Sequence, residues 1–374
     1  MPMISQKWLE LFQQLQQQTH PFISEPELQE RLETRLNFLS SQFSNLSQKE
    51  DPRHKDWLEH ETVASVISEL MGRERFSPDE LRALFNLLMQ VQLSQVALIV
   101  INHAQSKIPD DEIALKRGLI FQQMGEQEQA LDSLNNACEL NPDNHLAFYH
   151  RGFCLLLAGN MEQATESFKT CTELAPDFVG GYQNLAGCYY QQSEFELAAS
   201  QCEAVFQRNQ TIPPAYITAL SAYMALNDLD NVGIWLERAE AHQIVSPELY
   251  RLHGLYSAAK EDHETAVDQF SAYLEIAESS FDVLHFRAKS LAASGQWQPL
   301  LDDLDVLLSI DDNDHWCLEH LFLAHYHLQH WSDAELVFQK LTTLSDHYLH
   351  HFHQELKVIR SEHAEPITFV TTGV

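Results

Sequence analysis

The sequence predicts an all-α chain, an α-solenoid of about eight helix pairs of 34 residues each behind an N-terminal helical cap. Three observations carry this. The segment R-G-x6-GEQEQA-x3-L-x7-P beginning at Arg117 recurs as R-G-x6-GNMEQA-x3-F-x7-P at Arg151, an offset of 34 residues. That phase extends without insertion over eight windows, beginning at Ser77, Asp111, His145, Val179, Pro213, Pro247, Phe281 and His315 and ending at Tyr348. Glycine (12) and proline (13) are scarce among 374 residues, and 44% of the chain is apolar, a composition suited to packed helices.

Two columns test the phase. Position 20 reads Val96, Ala130, Ala164, Ala198, Val232, Ala266, Leu300 and Ala334; position 24 reads Val100, Leu134, Phe168, Cys202, Leu236, Phe270, Leu304 and Phe338. All sixteen are apolar, which chance at this composition gives roughly twice in a million. Positions 4, 8 and 11 of each window share one helix face, as do 20, 24 and 27, so each window encodes two amphipathic helices. Small residues at 8 and 20 allow close approach. Gly125, Gly159 and Gly295, all at position 15, are expected to end first helices in the left-handed conformation. Ser77-Pro78-Asp79-Glu80 and Ser246-Pro247-Glu248 are cap signals with Pro at the first helical position. One such pair cannot bury its own apolar face, so neighbours must stack.

These columns resemble the tetratricopeptide (TPR) family, whose pattern has an aromatic at 4, a small residue at 8, Tyr at 11, Ala at 20, an aromatic at 24 and Pro at 32. The best matches are Gly118, Phe121, Ala130, Leu134 and Pro142, then Phe148, Gly152, Ala164, Phe168 and Pro176. Tyr182, Ala186, Tyr189 and Ala198, and Tyr250, Gly254, Ala266 and Phe270, follow the pattern well. The resemblance implies a right-handed solenoid. Departures are bulky Leu84, Leu220 and Phe322 at position 8, and position 32 holds Pro in two windows only.

Residues 1–76 precede the array and read as a helical cap, with helices over 5–18, 24–45 (a Ser24/Glu27 capping box) and 55–71. A DNA-reading helix-turn-helix is disfavoured there, since 8 Lys/Arg face 12 Asp/Glu. Residues 77–348 are the array, and 349–374 a capping helix to about Ser361 followed by a tail.

Charge narrows the partners. With 23 Lys plus Arg against 54 Asp plus Glu, the formal charge is -31, so nucleic acid and anionic membrane are excluded as expected partners. No basic n-region with an apolar run opens the chain and no apolar span of about 18 residues occurs, so a cytoplasmic location is expected. The six cysteines form no C-x-x-C pair and are expected to be reduced and packed.

No P-loop, G-x-G-x-x-G, G-x-S-x-G or H-E-x-x-H is present, and outside the array only 102 residues remain, so an enzyme is not expected, nor a cofactor. Nine of the 20 histidines fall between His315 and His353. His347, His350 and His351 have the i, i+3, i+4 spacing that puts imidazoles on one helix face, but no Cys, Asp or Glu completes a motif, so no structural metal is expected. The terminal Thr372-Gly373-Val374 fits the pattern taken by carboxylate-capturing domains, a signal too short to carry weight.

The family resemblance implies that first helices line the concave surface through positions near 5, 6, 9, 12 and 13, a stripe about 100° round from the packing stripe. The forty residues selected hold four bases (Arg82, Lys116, Arg251, Lys289) and one acid (Glu319). An apolar half (Leu81, Phe85, Leu88, Leu115, Leu119, Tyr149, Phe153, Leu156, Leu157) precedes a polar one (Arg251, His285, Lys289, Glu319, His320, Tyr326), with Gln183, Asn184 and Tyr190 between them. The candidate partner-binding residues are therefore Tyr149, Phe153, Leu156, Gln183, Asn184, Tyr190, Arg251, His285, Lys289 and Glu319. What covers the apolar half is either a partner's helix or this chain's own Trp8, Leu9, Leu11, Phe12 and Leu15.

The family's clamp for chaperone tails is matched only by Asn184, with Tyr149, Phe153, Pro214 and Thr218 at its other positions, so that ligand is disfavoured. The expected function is a non-catalytic scaffold or adaptor binding a peptide or helix, with homo-oligomerisation open. A peptide-sensing regulator and a non-catalytic subunit of an enzyme complex are the rivals.

Overall fold

The computed structural model describes Ser68 and residues 76–362 except Val91, Glu278 and Ser279. Apart from Ser68, the three N-terminal helices expected before residue 72, with the Trp8, Leu9, Leu11, Phe12 and Leu15 named as a cover for the groove, and the tail 364–374 lie outside the described residues. Among the described residues there are 18 helices and no strand, with one isolated bridge between Gln105 and Ile108. The chain forms two compact units, Met1–Gln192 and Ser193–Val374.

In the first unit the helices are α1 Pro78–Gln90, α2 Ser94–Ala104, α3 Asp110–Met124, α4 Gln127–Leu140, α5 His145–Leu157, α6 Met161–Leu174 and α7 Val179–Gln191. The first helix of each pair (α1, α3, α5 and α7) starts within one residue of its predicted window. Local chemistry sets the boundaries. Ser77 N–H donates to the Glu80 carboxylate at 2.7 Å while Glu80 N–H donates to Ser77 Oγ at 3.3 Å, a reciprocal capping box. Asn144 and Asn160 cap α5 and α6 by accepting from Ala147 N–H and Gln163 N–H.

The interior of this unit is the one the columns demand: Val96, Val100, Ala130, Leu134, Ala164 and Phe168 are each fully buried. A Cβ at Gly118 would meet Leu134 Cγ at 2.5 Å, and one at Gly152 would meet Phe168 Cε1 at 2.8 Å. The position-24 side chain thus fills the space the position-8 side chain lacks. In the first window bulky Leu84 at position 8 meets a smaller position-24 residue, Val100, both buried in one cluster.

In the second unit the helices are α8 Phe195–Arg208, α9 Pro213–Ala225, α10 Leu229–Ala241, α11 Pro247–Ala259, α12 His263–Ile276, α13 Phe281–Ser294, α14 Trp297–Leu308, α15 His315–His327, α16 Trp331–Leu344, α17 Tyr348–His351 and α18 His353–Glu362. Ala198, Val232, Ala266, Leu300 and Ala334 are again fully buried. Ser246 caps α11 by accepting from Leu249 N–H, as its sequence signals. Asp303 is a buried charge made tolerable by Arg287, whose Nε and Nη2 donate to its two oxygens at 3.0 and 2.6 Å. The capping helix is present but interrupted: Phe352 separates α17 from α18, and Tyr348, Phe352, Leu356 and Ile359 seal Phe322 and Phe338.

One local rule extends further than the glycines suggest. Position 15 is left-handed at Gly125, Gly159 and Gly295, and equally at Ser193, Asn227, Glu261 and Gln329, whose φ values lie between 55° and 62°. The turn, rather than the residue, is the repeating feature.

Candidate functional site

Four first helices, α1, α3, α5 and α7, carry the candidate stripe of the first unit. The stripe is not uniformly open. Leu81, Phe85, Leu88 and Leu115, expected on the groove, are buried instead. Leu81, Phe85 and Leu88 lie in the core with Val96, Val100 and Ile120, because α1 turns its apolar side inward against α2 and α3. Arg82 and Lys116 do not offer free charge: Arg82 pairs with Glu112 at 2.8 Å and Asp79 at 2.9 Å, and Lys116 lies 3.6 Å from Glu112 and over the Phe85 ring. Burial, the largest cause, pulls the Lys116 ammonium below its usual range.

The glutamines at positions 12 and 13 act as latches between repeats. Gln122 Nε2 donates to the His150 carbonyl at 3.1 Å, and His150 Nδ1 lies 3.1 Å from Gln122 Oε1. Gln123 Nε2 reaches the Met89 carbonyl at 2.9 Å. Burial pushes His150 down to about 4, so the ring is neutral at pH 7.

What stays open in this unit is narrower and sharper than predicted. Phe153, Leu157 and Tyr190 are exposed at 40%, 57% and 36%. Leu156, Gln183 and Asn184 are half-buried, and among the described residues Gln183 Oε1 is a buried acceptor with no donor. Tyr149 is a supporting residue, its ring edge-on to Phe178 with centroids 5.0 Å apart and close over Gly180. Gly187, at the same repeat position as Phe153, was not singled out in the sequence. Among the described residues a Cβ there would meet nothing within 4 Å, and Asn184 and Tyr190 flank the bare stretch of helix.

The second unit carries the other four candidates. Arg251 is held by Glu248, with Nε 2.9 Å from Oε2 and a second parallel bond from Nη2, so its charge is matched locally. His285 and His320 bracket Trp316, with ring centroids at 4.8 and 4.0 Å, and the exposed Lys289 ammonium lies 5.8 Å from the same indole. Burial, then Lys289, holds His285 below the usual imidazole range. Glu319 faces Tyr348, whose hydroxyl is pushed up to about 12, first by burial and then by that carboxylate. The structure therefore gathers His285, Lys289 and His320 round one indole and assigns Arg251 and Glu319 to local partners. Trp316, at position 2, fell outside the selected stripe; its i, i+4 relation to His320 was the signal that could have found it.

The histidines spaced for a metal do not converge. His347, the residue before α17, and His350 and His351 within it are exposed, and among the described residues they form no three-ligand group. All six cysteines are free and buried, with Cys202 and Cys317 pushed up to about 12, chiefly by burial. No helix among the described residues is long and apolar enough to cross a membrane.

Two repeat models match the chain, "TPR repeat" over residues 118–159 and "Tetratricopeptide repeat" over 146–178. No curated protein matches it. Among solved structures, MamA from Desulfovibrio magneticus RS-1 is 19% identical, covering 46% of this chain and 99% of that one with a TM-score of 0.43. A thermophilic TPR protein of Thermus thermophilus is 22% identical (48% and 98% covered, TM-score 0.37). YrrB, described as a TPR protein with an unusual peptide-binding site, is 17% identical (51% and 98%, TM-score 0.45). These likenesses concern the fold alone. Residues 118–178 thus match two tetratricopeptide-repeat models, and the same helix-pair arrangement recurs in phase in each unit, which makes the fold a tetratricopeptide-type α-solenoid.

Proposed function

We propose that the chain is a non-catalytic interaction scaffold that holds a peptide or helix of a partner protein on the face formed by α5 and α7. The observation that carries this reading is the bare backbone at Gly187, set among exposed apolar side chains. A mid-helix glycine costs roughly 0.5–1 kcal/mol relative to alanine, and among the described residues no close neighbour recovers that cost. A ligand backbone approaching the helix would do so.

Phe153, Leu157 and Tyr190 supply apolar area at about 25 cal/mol per Å² removed from water. Gln183 and Asn184, half-buried beside them, supply amides able to pair with a ligand main chain. The group round Trp316 in the second unit, with Lys289 exposed beside it, suits a carboxylate-bearing ligand segment. Because Arg251 is occupied by Glu248, Lys289 rather than Arg251 carries this role.

The test is site-specific photocrosslinking in the native cell, with benzoylphenylalanine in place of Phe153 and, as a control, in place of the exposed Leu336 on α16. A discrete adduct at Phe153 and none at Leu336 supports the reading. Adducts at Leu336 alone would contradict it.

A further inference from the structure

We propose that His325, His330 and Asp333 form a site for a divalent transition-metal ion of the zinc type, with three protein ligands and one coordination position open to solvent. The site lies at the turn between α15 and α16. His325 is near the end of α15, His330 is the residue preceding α16, and Asp333 is in the first turn of α16. Each offers one ligand atom, and the three atoms lie within 4.8 Å of one another.

The spacing of the two imidazoles is the strongest indication. His325 Nδ1 and His330 Nδ1 are 3.4 Å apart, with ring planes inclined at 48°. A tetrahedral zinc ion with bonds of about 2.0–2.1 Å separates neighbouring nitrogen ligands by about 3.4 Å. Two nitrogens that would each take the metal therefore already stand one tetrahedron edge apart. Asp333 is exposed, and its carboxylate needs only a side-chain rotation to close the third corner.

The backbone fixes this arrangement. Gln329 is left-handed at φ 60°, His330 N–H donates to the His325 carbonyl at 2.8 Å, and Gln329 N–H donates to that of Tyr326 at 3.1 Å. These are the two bonds of a Schellman turn, which recurs in most other repeats and there too brings positions 11 and 16 together. In three other windows position 16 is a side-chain cap: Asn160, Asp228 and Asp262 each accept from the N–H three residues on. His330 makes no such bond and turns its Nδ1 to His325 instead. Of the eight windows, the last alone places two imidazoles and a carboxylate at positions 11, 16 and 19. Two imidazoles with one carboxylate suit a borderline ion rather than calcium or magnesium, which favour all-oxygen shells.

The core beneath, Phe322, Ala334, Phe338 and Leu341, is apolar and complete, so the ion is not needed for folding. The test is calorimetric titration of tag-free, chelator-treated full chain with zinc chloride. It is run on the wild type, on His330→Ala, on Asp333→Asn, and on the triple variant His347→Ala, His350→Ala, His351→Ala. Circular dichroism checks that each is folded. One equivalent should bind to the wild type and the triple variant, and affinity should fall by at least about tenfold in His330→Ala and in Asp333→Asn, since even outer-shell changes cost 10–100-fold. Binding retained in His330→Ala, one equivalent lost from the triple variant, or no saturable binding to the wild type would each overturn the proposal.

Discussion

Gly254 lies directly beneath Phe270: a methyl group on it would sit 2.5 Å from the ring's Cε1. Glycine to alanine in a helix interior ordinarily stabilises by about 1 kcal/mol, yet overpacking a filled core costs about 1–3 kcal/mol. Phe270 is fully buried and cannot swing away. Gly254→Ala should therefore lower stability by about 1–2 kcal/mol, read from the urea midpoint with an unchanged slope.

The same substitution at Gly187 should have the opposite sign. No described residue stands within 4 Å of its added Cβ, so helix propensity acts alone and Gly187→Ala should stabilise by about 0.5–1 kcal/mol. If a ligand backbone rests there, the same variant should bind the partner more weakly. Greater stability with unchanged affinity would remove Gly187 from the site.

Glu261 occupies the left-handed position that Gly125, Gly159 and Gly295 fill in other repeats, at φ 62°. That conformation costs a residue with a Cβ roughly 1–2 kcal/mol. Glu261→Gly should raise the melting temperature despite adding a glycine, against about 0.5–1 kcal/mol of extra chain entropy. A clear fall would show that Glu261 is not strained.

His150 sets a pH dependence. Its folded pKa, pushed down to about 4, lies below the unfolded value of 6.5. Above pH 6.5 both states are neutral and the group contributes nothing; below it the unfolded chain binds the proton first. Stability should fall from pH 6.5 toward pH 4 and level off with respect to this group below that. His150→Gln, which cannot titrate, should show a shallower loss over that window in thermal melts.

Much of the fold was legible because burial leaves a periodic trace. Ala164 and Phe168 stand four residues apart on one face, and the recurrence of such pairs at 34 residues sufficed to place helix starts such as His145, Val179, Pro247 and His315. The site was less legible because a stripe defined by helix geometry says where Cα atoms face, not what occupies the side chains. Arg251 falls on the stripe, but the choice of Glu248 as its partner is a rotamer outcome. Leu81 and Phe85 share the stripe with Phe153, yet α1 buries them. His325 and His330 meet across a turn through a left-handed glutamine, and no helical spacing predicts that.

The central claim is that the exposed face of α5 and α7 binds a partner rather than supporting the fold. The direct measurement takes melting temperature and affinity for the crosslinked partner on one sample of Phe153→Ala. Phe153 is 40% exposed, so the melting temperature should stay close to wild type. Affinity should fall by on the order of 1–3 kcal/mol, at low and high salt alike because the lost contact is apolar. A variant that melts much earlier while binding its partner as tightly as wild type would contradict the account.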